Sequence, residues 1–362
     1  MKINILQTAR NTTLAVPASL CLLCLAASSH AQSTSSVSVY GILDLSLVSL
    51  NNPVAQGNRT LLHSGSLQTS RLGFRGTEDL GGGLTANFDM LSGPTPDNGL
   101  VGGGAKFFNL GTSVGLAHRE YGSIDAGFLR NPNIFVAFAT DLSGYGLANY
   151  SITSNLQHQS IMTNGVGGFY ENTIRYRTPN FSGLRAELTH SLGDETAVTG
   201  RKNNEFDAMN VQYTSGPMYV GFGYSNFATR TATRNDNAKA SIIGGTYDFK
   251  WVKLGAHTVR TERPTVTQRS NQVSAKFKPT DGKLELDVGI GRLTESTRAA
   301  PSTSAVSVGA TYHVSKRTDF YTFATKVSNN ATGTRGMFFY GNGTIAAGGT
   351  SRAVGLGLRH AF

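Results

Sequence analysis

The feature of this sequence that most constrains its fold is an alternation of apolar and polar residues, repeated over segments of about ten residues. In the segment 37–47, one face is mainly apolar, with leucine at positions 43, 45 and 47, and the other carries residues such as Asp44. The final segment has Leu356, Leu358 and Phe362 on one face. Because successive side chains of a strand point to opposite faces, each segment is predicted to be a two-faced strand.

The length of these strands favours a membrane barrel over a soluble β-sandwich, whose strands usually have about five or six residues. Strands are predicted near 37–48, 66–76, 83–91, 106–117, 120–129, 171–179, 183–192, 205–214, 217–227, 238–249, 252–261, 269–278, 283–293, 303–314, 319–328 and 350–362. An even number lets the last antiparallel strand pair with the first, so that no edge stays unpaired in lipid. The predicted fold is all-β, a transmembrane antiparallel β-barrel of about sixteen strands.

The composition also suits a barrel. Of 362 residues, 43 are glycine, and the hydrophobic fraction is 39%, whereas soluble domains have about 45–50%. A barrel has an apolar lipid-facing band and a polar lumen, so it needs fewer apolar residues than a large soluble core. Beyond residue 31 no run of about 18 apolar residues occurs, so no transmembrane helix is predicted.

Residues 1–31 are predicted to be a secretory signal peptide, and residues 32–362 to form the barrel. Two basic residues precede a mostly apolar stretch, and residues 29–31 place small side chains where a signal peptidase would cleave. A transmembrane anchor is the alternative. Pro17 and the lack of a basic flank after the apolar stretch argue against it.

Cysteine use and charge exclude several kinds of site. Both cysteines, Cys21 and Cys24, lie in the predicted signal peptide, so the exported chain would have no disulfide or thiolate metal site. No His-rich metal spacing occurs, and neither an enzyme nor a cofactor is predicted. The formal net charge of +10 favours anionic partners. For an exported chain, nucleic acid is the least expected of these.

One connection, about 130–170, lacks sustained alternation and is much longer than the others. Loops of this length are usually disordered or functional. Aromatic residues such as Phe135, Phe138 and Tyr145 argue against disorder. The segment is therefore expected to pack, and the barrel interior is the natural place for it.

Five stretches spread over the chain resemble the general porins of Gram-negative bacteria, of the trimeric sixteen-stranded type found in Burkholderia and Neisseria relatives. They are Ser36–Asp44, Ser70–Leu84, Asn172–Leu184, Val314–Tyr321 and Gly357–Phe362. The resemblance implies a homotrimer in the outer membrane, in contact with lipid and lipopolysaccharide, through which small hydrophilic solutes diffuse passively. It also implies that a third extracellular loop, here about 130–170, folds into the lumen as a constriction. Phe362 would be the signal that the barrel assembly machinery recognises.

Successive side chains of a strand point to opposite faces, so a residue whose two neighbours face lipid must face the lumen. This alternation, called strand parity, predicts five arginines in the lumen: Arg71, Arg75, Arg175, Arg177 and Arg185. Guanidinium groups stay charged at any working pH and bind carboxylate or phosphate. An arginine-lined constriction would favour anions. Alternatively, Arg71 and Arg75 brace the wall by pairing with carboxylates such as Asp44 or Glu78.

The loop itself adds Arg130 and a single carboxylate, Asp141, to the predicted constriction. Related loops place more acidic groups against the basic wall, so the resemblance implies a more purely basic site here. The sequence Asn109-Leu110-Gly111 and the stretch Ala126–Arg130 depart from the family pattern, which implies one arginine lost and another displaced. The strength of anion preference is thus less defined than its sign.

Two other functions fit parts of the sequence. Clustered arginines and a weakly acidic loop would also suit a solute-specific channel for small carboxylates or phosphate. Polar loops, such as the segment Thr229–Lys239, would suit a surface adhesin or a structural barrel.

Overall fold

A computed structural model describes residues 35–51, 57–102, 106–146, 148–156, 168–193, 205–230, 235–279, 282–337, 340 and 343–362. Residues 35–362 form one compact unit. The predicted signal peptide lies outside the described residues, and so does part of the predicted constriction loop. In the described part of the chain, no helix has the length and apolar character required to cross a membrane.

The described chain is built mainly from strands. They are β1 (Ser36–Asn51), β2 (Arg59–Ser64), β3 (Arg71–Gly81), β4 (Leu84–Ser92), β5 (Pro94–Thr95), β6 (Leu100–Val101), β7 (Thr112–His118), β8 (Gly122–Arg130), β9 (Phe169–Arg177), β10 (Leu184–Ser191), β11 (Phe206–Ser215), β12 (Met218–Arg230), β13 (Asn235–Asp248), β14 (Val252–Arg263), β15 (Val266–Phe277), β16 (Leu284–Glu295), β17 (Ser302–His313), β18 (Thr318–Asn329) and β19 (Thr350–Ala361). Two short helices, α1 (Ile134–Thr140) and α2 (Ile152–Leu156), lie between β8 and β9.

The large sheet closes into a barrel, because β1 pairs antiparallel with β19. β2 and β3 together fill one position of the wall. β2 pairs with residues 45–50 of β1, and β3 with residues 36–42 of the same strand. β5 and β6 form a separate hairpin. The remaining strands bring the wall to sixteen positions, which confirms the predicted strand number and closure.

The predicted two-faced character explains which side of the wall meets lipid. Large apolar side chains that alternate along the strands are exposed on the outer face, for example Val37 at 74%, Leu356 at 62% and Ile290 at 54%. Residues of the opposite parity face inward and are mostly polar or glycine. Since exposure of this much apolar surface to water is unfavourable, the outer face is suited to a bilayer.

Two of the predicted strands are misplaced. Residues 66–70, predicted as strand, leave the wall between β2 and β3, where six residues stand opposite two residues of β1. Residues 106–111 are also outside a strand, since β7 begins at Thr112. In the first of these places side-chain hydrogen bonds replace the ladder, since the carboxylate of Asp44 accepts from the backbone N–H groups of Leu67 and Gln68.

The described part of the segment 131–156 packs against the side of the barrel wall formed by β12 to β17, the far wall. Helix α1 contacts β12, β13 and β14, and α2 contacts β15, β16 and β17. A buried apolar cluster joins Ile134, Val136 and Ala137 of α1 to Ile242 and Val259 of the wall. A second, larger cluster surrounds α2 and the tyrosine at position 150. This packing gives a segment without sequence periodicity a defined place.

Room for the segment comes from missing side chains in the wall. At Gly291 of β16, a Cβ atom would overlap the side chain of Ile152 in α2. Because a folded interior is close-packed, even one added methyl group would push the helix away. The glycine therefore belongs to the packing of α2 against the wall.

Candidate functional site

A cavity of about 950 Å³ lies between one side of the barrel wall and the segment 131–156. Strands β3, β4, β7, β8 and β9 form its wall side, and α1 with the residues after it forms the opposite side. The charged residues that line it are Arg71, Arg75, Asp89, Asp125, Arg130, Arg175 and Arg177. Five arginines therefore face two carboxylates around one space.

Asp125 neutralises part of this charge. Its buried carboxylate accepts from Nη2 of Arg177 at 2.7 Å and from Nη2 of Arg175 at 3.3 Å. Arg177 also donates through Nε to Ser123 Oγ at 3.1 Å. Asp125 and Arg175 are direct cross-strand neighbours of β8 and β9, so the pairing follows from strand register.

Arg75 is held by an aromatic ring. Its guanidinium carbon lies 4.7 Å from the ring centre of Tyr40, and the Tyr40 hydroxyl donates to Asp89 at 2.9 Å. A cation over a tyrosine face is attracted by the negative ring face. Arg75 is thus positioned while its guanidinium remains exposed to the cavity.

Arg71 and Arg130 complete the basic side. Arg71 donates through Nε to the carbonyl of Thr69 at 3.2 Å. The Arg130 guanidinium lies 4.3 Å from the ring centre of Phe169 and 5.5 Å from that of Phe138. Within the described residues, Arg71, Arg75 and Arg130 take part in no ion pair. Asp44 instead binds Leu67, Gln68 and the Tyr321 hydroxyl, so it does not brace these arginines.

The geometry of the barrel and cavity agrees with comparisons of sequence and fold. The sequence profile of the Gram-negative porin family matches residues 17–332. The chain belongs to the Gram-negative porins. Outer membrane porin protein 32 of Delftia acidovorans is 27% identical over 357 residues, covering 95% of this chain and 99% of that protein.

Solved porin structures share the fold. The anion-selective porin from Comamonas acidovorans matches with a TM-score of 0.80 and 25% identity, over 91% of this chain and all of that chain. The in-vitro folded trimer form of OmpT from Vibrio cholerae matches with a TM-score of 0.66, over 91% of this chain and 99% of that chain. At 14% identity it shows the fold alone. This porin is therefore an outer-membrane protein of a family of channels rather than enzymes.

The segment facing the arginines is aromatic and polar in this porin. Its lining residues are Phe135, Phe138, Tyr145, Gly146, Asn149, Thr153 and Ser154. The predicted carboxylate of the loop, Asp141, is not among them. It is 1% exposed, and its Oδ1 accepts from the backbone N–H of Ser143 at 3.1 Å. Asp141 directly follows α1, which packs on the wall, and it lies outside the cavity lining.

Arg185 is also outside the cavity lining. It is exposed near the start of β10, where its cross-strand neighbour is Gln212. Alternation along the strand could not predict the position of Arg185 outside the cavity, because it assigns a residue to a face of the wall but not to a height along the channel. Of the seven predicted site residues in the channel, the structure brings together Arg71, Arg75, Arg130, Arg175 and Arg177.

Buried polar contacts, besides the apolar clusters, join the segment to the far wall. Thr140 Oγ1 and His257 Nδ1 lie 2.8 Å apart, and Thr153 Oγ1 donates to Gln272 at 2.5 Å. The Tyr150 hydroxyl donates to both oxygens of Asp287, at 3.1 and 3.0 Å. Burial, followed by the charge of Asp287, raises the pKa of Tyr150 well above its usual value, so the hydroxyl stays a donor.

Sequence reasoning missed a second group of residues that hold the segment. The Tyr145 hydroxyl donates to Asp319 at 2.6 Å, and Arg359 donates to the same oxygen at 2.8 Å. The Arg359 guanidinium lies 4.0 Å from the Tyr145 ring centre, and its Nε donates to Gln68 at 2.7 Å. The sequence signal that could have identified this group is the alternation pattern, which places Arg359 and Asp319 on the inward face. The two residues are cross-strand neighbours.

Proposed function

We propose that this porin lets small hydrophilic solutes diffuse passively across the outer membrane and prefers anions. The segment 131–156 narrows the lumen, and the cavity beside it is the constriction. The observation that carries the proposal is the charge of that cavity, which five arginines and two aspartates line. Three of the arginines take part in no ion pair among the described residues, so their charge is available to passing anions.

The surface that faces the arginines across the cavity strengthens the proposed preference for anions. The described part of the segment presents phenylalanine, tyrosine, asparagine and hydroxyl groups to the arginines, and no carboxylate. Charges in a narrow space of low effective dielectric act more strongly than in bulk water. The similarity to an anion-selective porin from Comamonas acidovorans supports the same sign of selectivity here.

Recording from the purified protein in planar bilayers under a potassium chloride gradient tests this function. The reversal potential should show chloride preferred over potassium. Arg75→Glu should shift it towards cations. Arg185→Glu is the matched control and should shift it less, because Arg185 lies outside the cavity lining. A cation preference of the unmodified channel would overturn the proposal.

We further propose a homotrimer. The trimer form of OmpT from Vibrio cholerae shares the barrel fold. The apolar outer face of the present barrel offers ample surface for subunit contacts. Mass measurement of the detergent-solubilised protein would distinguish a trimer from a monomer.

Contact with phosphorylated lipid, as in lipopolysaccharide, is proposed for the outer face. At the barrel end opposite the chain termini, basic residues share the parity of lipid-facing residues: Lys239, Arg260, Arg269, Arg292, Lys326 and Arg352. Arg260 lies directly opposite Arg269, and Lys326 opposite Arg352. Like charges placed opposite each other destabilise a sheet, and phosphate groups would relieve the repulsion that the ion pair of Arg260 with Glu262 leaves. Arg269→Gln should reduce the lipopolysaccharide that copurifies, and Lys316→Gln, in the turn before β18, should not.

Export with removal of residues 1–31 is proposed from the sequence alone. The mature chain would begin at Gln32. N-terminal sequencing of the protein from outer membranes tests this cleavage site.

A further inference from the structure

The constriction has an aromatic side that simple anion filtering does not require. Phe135 and Phe138 are one turn apart on α1, with ring centres 6.1 Å apart. Both rings are partly exposed and line the cavity, while Ile134, Val136 and Ala137 are buried against the wall. Exposure of phenylalanine to water is unfavourable, and the lumen of a general porin is usually polar.

The two aromatic side chains stand beside arginines with spare hydrogen-bonding capacity. The Nε atom of Arg130 is buried and has no described partner. Arg130 and Arg71 line the same cavity, and their like charges repel. An anion between them would relieve this repulsion, and a carboxylate matches the forked donors of guanidinium. Arg175 and Arg177 are already paired with Asp125, although the Nε atom of Arg175 is also buried without a described partner.

We propose that the constriction preferentially binds aromatic carboxylates. Their carboxylate binds Arg71 and Arg130, and their ring packs against Phe135 and Phe138. This inference rests on the proposed function and names its solute class. An aromatic ring gains stacking contacts with phenylalanine that a saturated ring of similar size lacks.

A structural function for the two rings is the competing explanation. Phe138 lies 5.5 Å from the Arg130 guanidinium and could hold the arginine by cation–π attraction. Phe169 already does so at 4.3 Å. Phe135 makes no such described contact with an arginine, although it lines the same cavity. A supporting ring for Arg130 therefore accounts for Phe138 but not for Phe135.

Block of the chloride current by benzoate and by cyclohexanecarboxylate tests the proposal. The two probes carry the same charge and have similar size, but only benzoate has an aromatic ring. The half-blocking concentration of benzoate should be lower by about two- to tenfold, as expected for an aromatic pair. Equal block by both probes would overturn the inference.

Substitutions of Phe135 and Phe138 test whether their rings cause the preference for benzoate. Phe138→Leu and Phe135→Leu should each bring the ratio of the two half-blocking concentrations towards one, whereas Phe138→Tyr should keep it. Phe181→Leu is the matched control, since Phe181 is exposed in a turn outside the cavity. A ratio unchanged in both leucine variants would contradict the assignment.

The same bilayers separate the two proposals. A chloride preference with equal block by both probes leaves the proposed function standing and removes this inference. A cation preference overturns the proposed function itself, and the inference with it.

Discussion

Gly41 and Phe362 close the barrel together. Each backbone N–H donates to the carbonyl of the other at 3.1 Å. The phenyl ring covers Gly41, where a Cβ atom would overlap the ring. The last residue of the chain is therefore built into the seam between β1 and β19, and its ring is still 46% exposed on the outer face.

This seam separates two explanations of Phe362. If the residue is recognised during assembly, Phe362→Ala should lower the amount of folded protein in the outer membrane, while the protein refolded in detergent should melt almost as the unmodified one does. Gly41→Ala keeps the terminal phenylalanine but crowds its ring, so it should destabilise the purified barrel by about 1–3 kcal/mol. Undiminished assembly of Phe362→Ala in cells would contradict a recognition signal.

Asp44 holds the residues that leave the wall between β2 and β3. Its buried carboxylate accepts from two backbone N–H groups and from the Tyr321 hydroxyl at 2.6 Å. Asp44→Ala should lower the free energy of unfolding by about 3 kcal/mol, because buried donors lose their acceptor. This change in the free energy of unfolding is measured by urea unfolding, followed by the fluorescence of the single tryptophan, Trp251. Asp207→Ala, at an exposed outer position, should change it by less than about 0.5 kcal/mol.

Tyr150 connects the segment 131–156 to the far wall. Tyr150→Phe keeps the ring stacked on Phe323, with centres 4.8 Å apart, but removes the hydroxyl that donates to Asp287. The buried carboxylate then loses one of its donors and keeps the backbone N–H of Gly144, so the segment should become more mobile. Single-channel recording should show greater open-channel current noise. Tyr312→Phe, on the outer face, should leave the noise unchanged.

Asp125 should limit the proposed anion preference, since it pairs with Arg175 and Arg177. Asp125→Asn keeps the size of the side chain but removes its charge, so the reversal potential should move further towards anions. Asp207→Asn removes an equal charge from the outer face and serves as control. A shift towards cations in Asp125→Asn would show that the arginines need this partner to point into the cavity.

Salt should weaken the selectivity. The Debye length falls from about 10 Å at 0.1 M to about 3 Å at 1 M. The chloride preference calculated from reversal potentials should therefore decline over this range at a constant concentration ratio. A preference independent of salt would indicate selection by size.

Strand number, closure and the lipid-facing parity could be predicted from the sequence because alternation is local. Each residue's face depends only on its neighbours in the same strand. The register of Asp125 with Arg175 and of Asp319 with Arg359 follows once the strands are paired. The misplacement of residues 66–70 has a non-local cause, since Asp44, in another strand, holds these residues away from the wall.

The sequence by itself thus determined a closed barrel with arginines on its inner face. Tertiary structure alone decided which of them share one cavity, because the segment 131–156 has no period that specifies its path. Packing of α1 and α2 on the far wall turned Asp141 away from the arginines and placed Phe135 and Phe138 before them. Distances across a lumen depend on such packing between residues far apart in the chain, which no local pattern records.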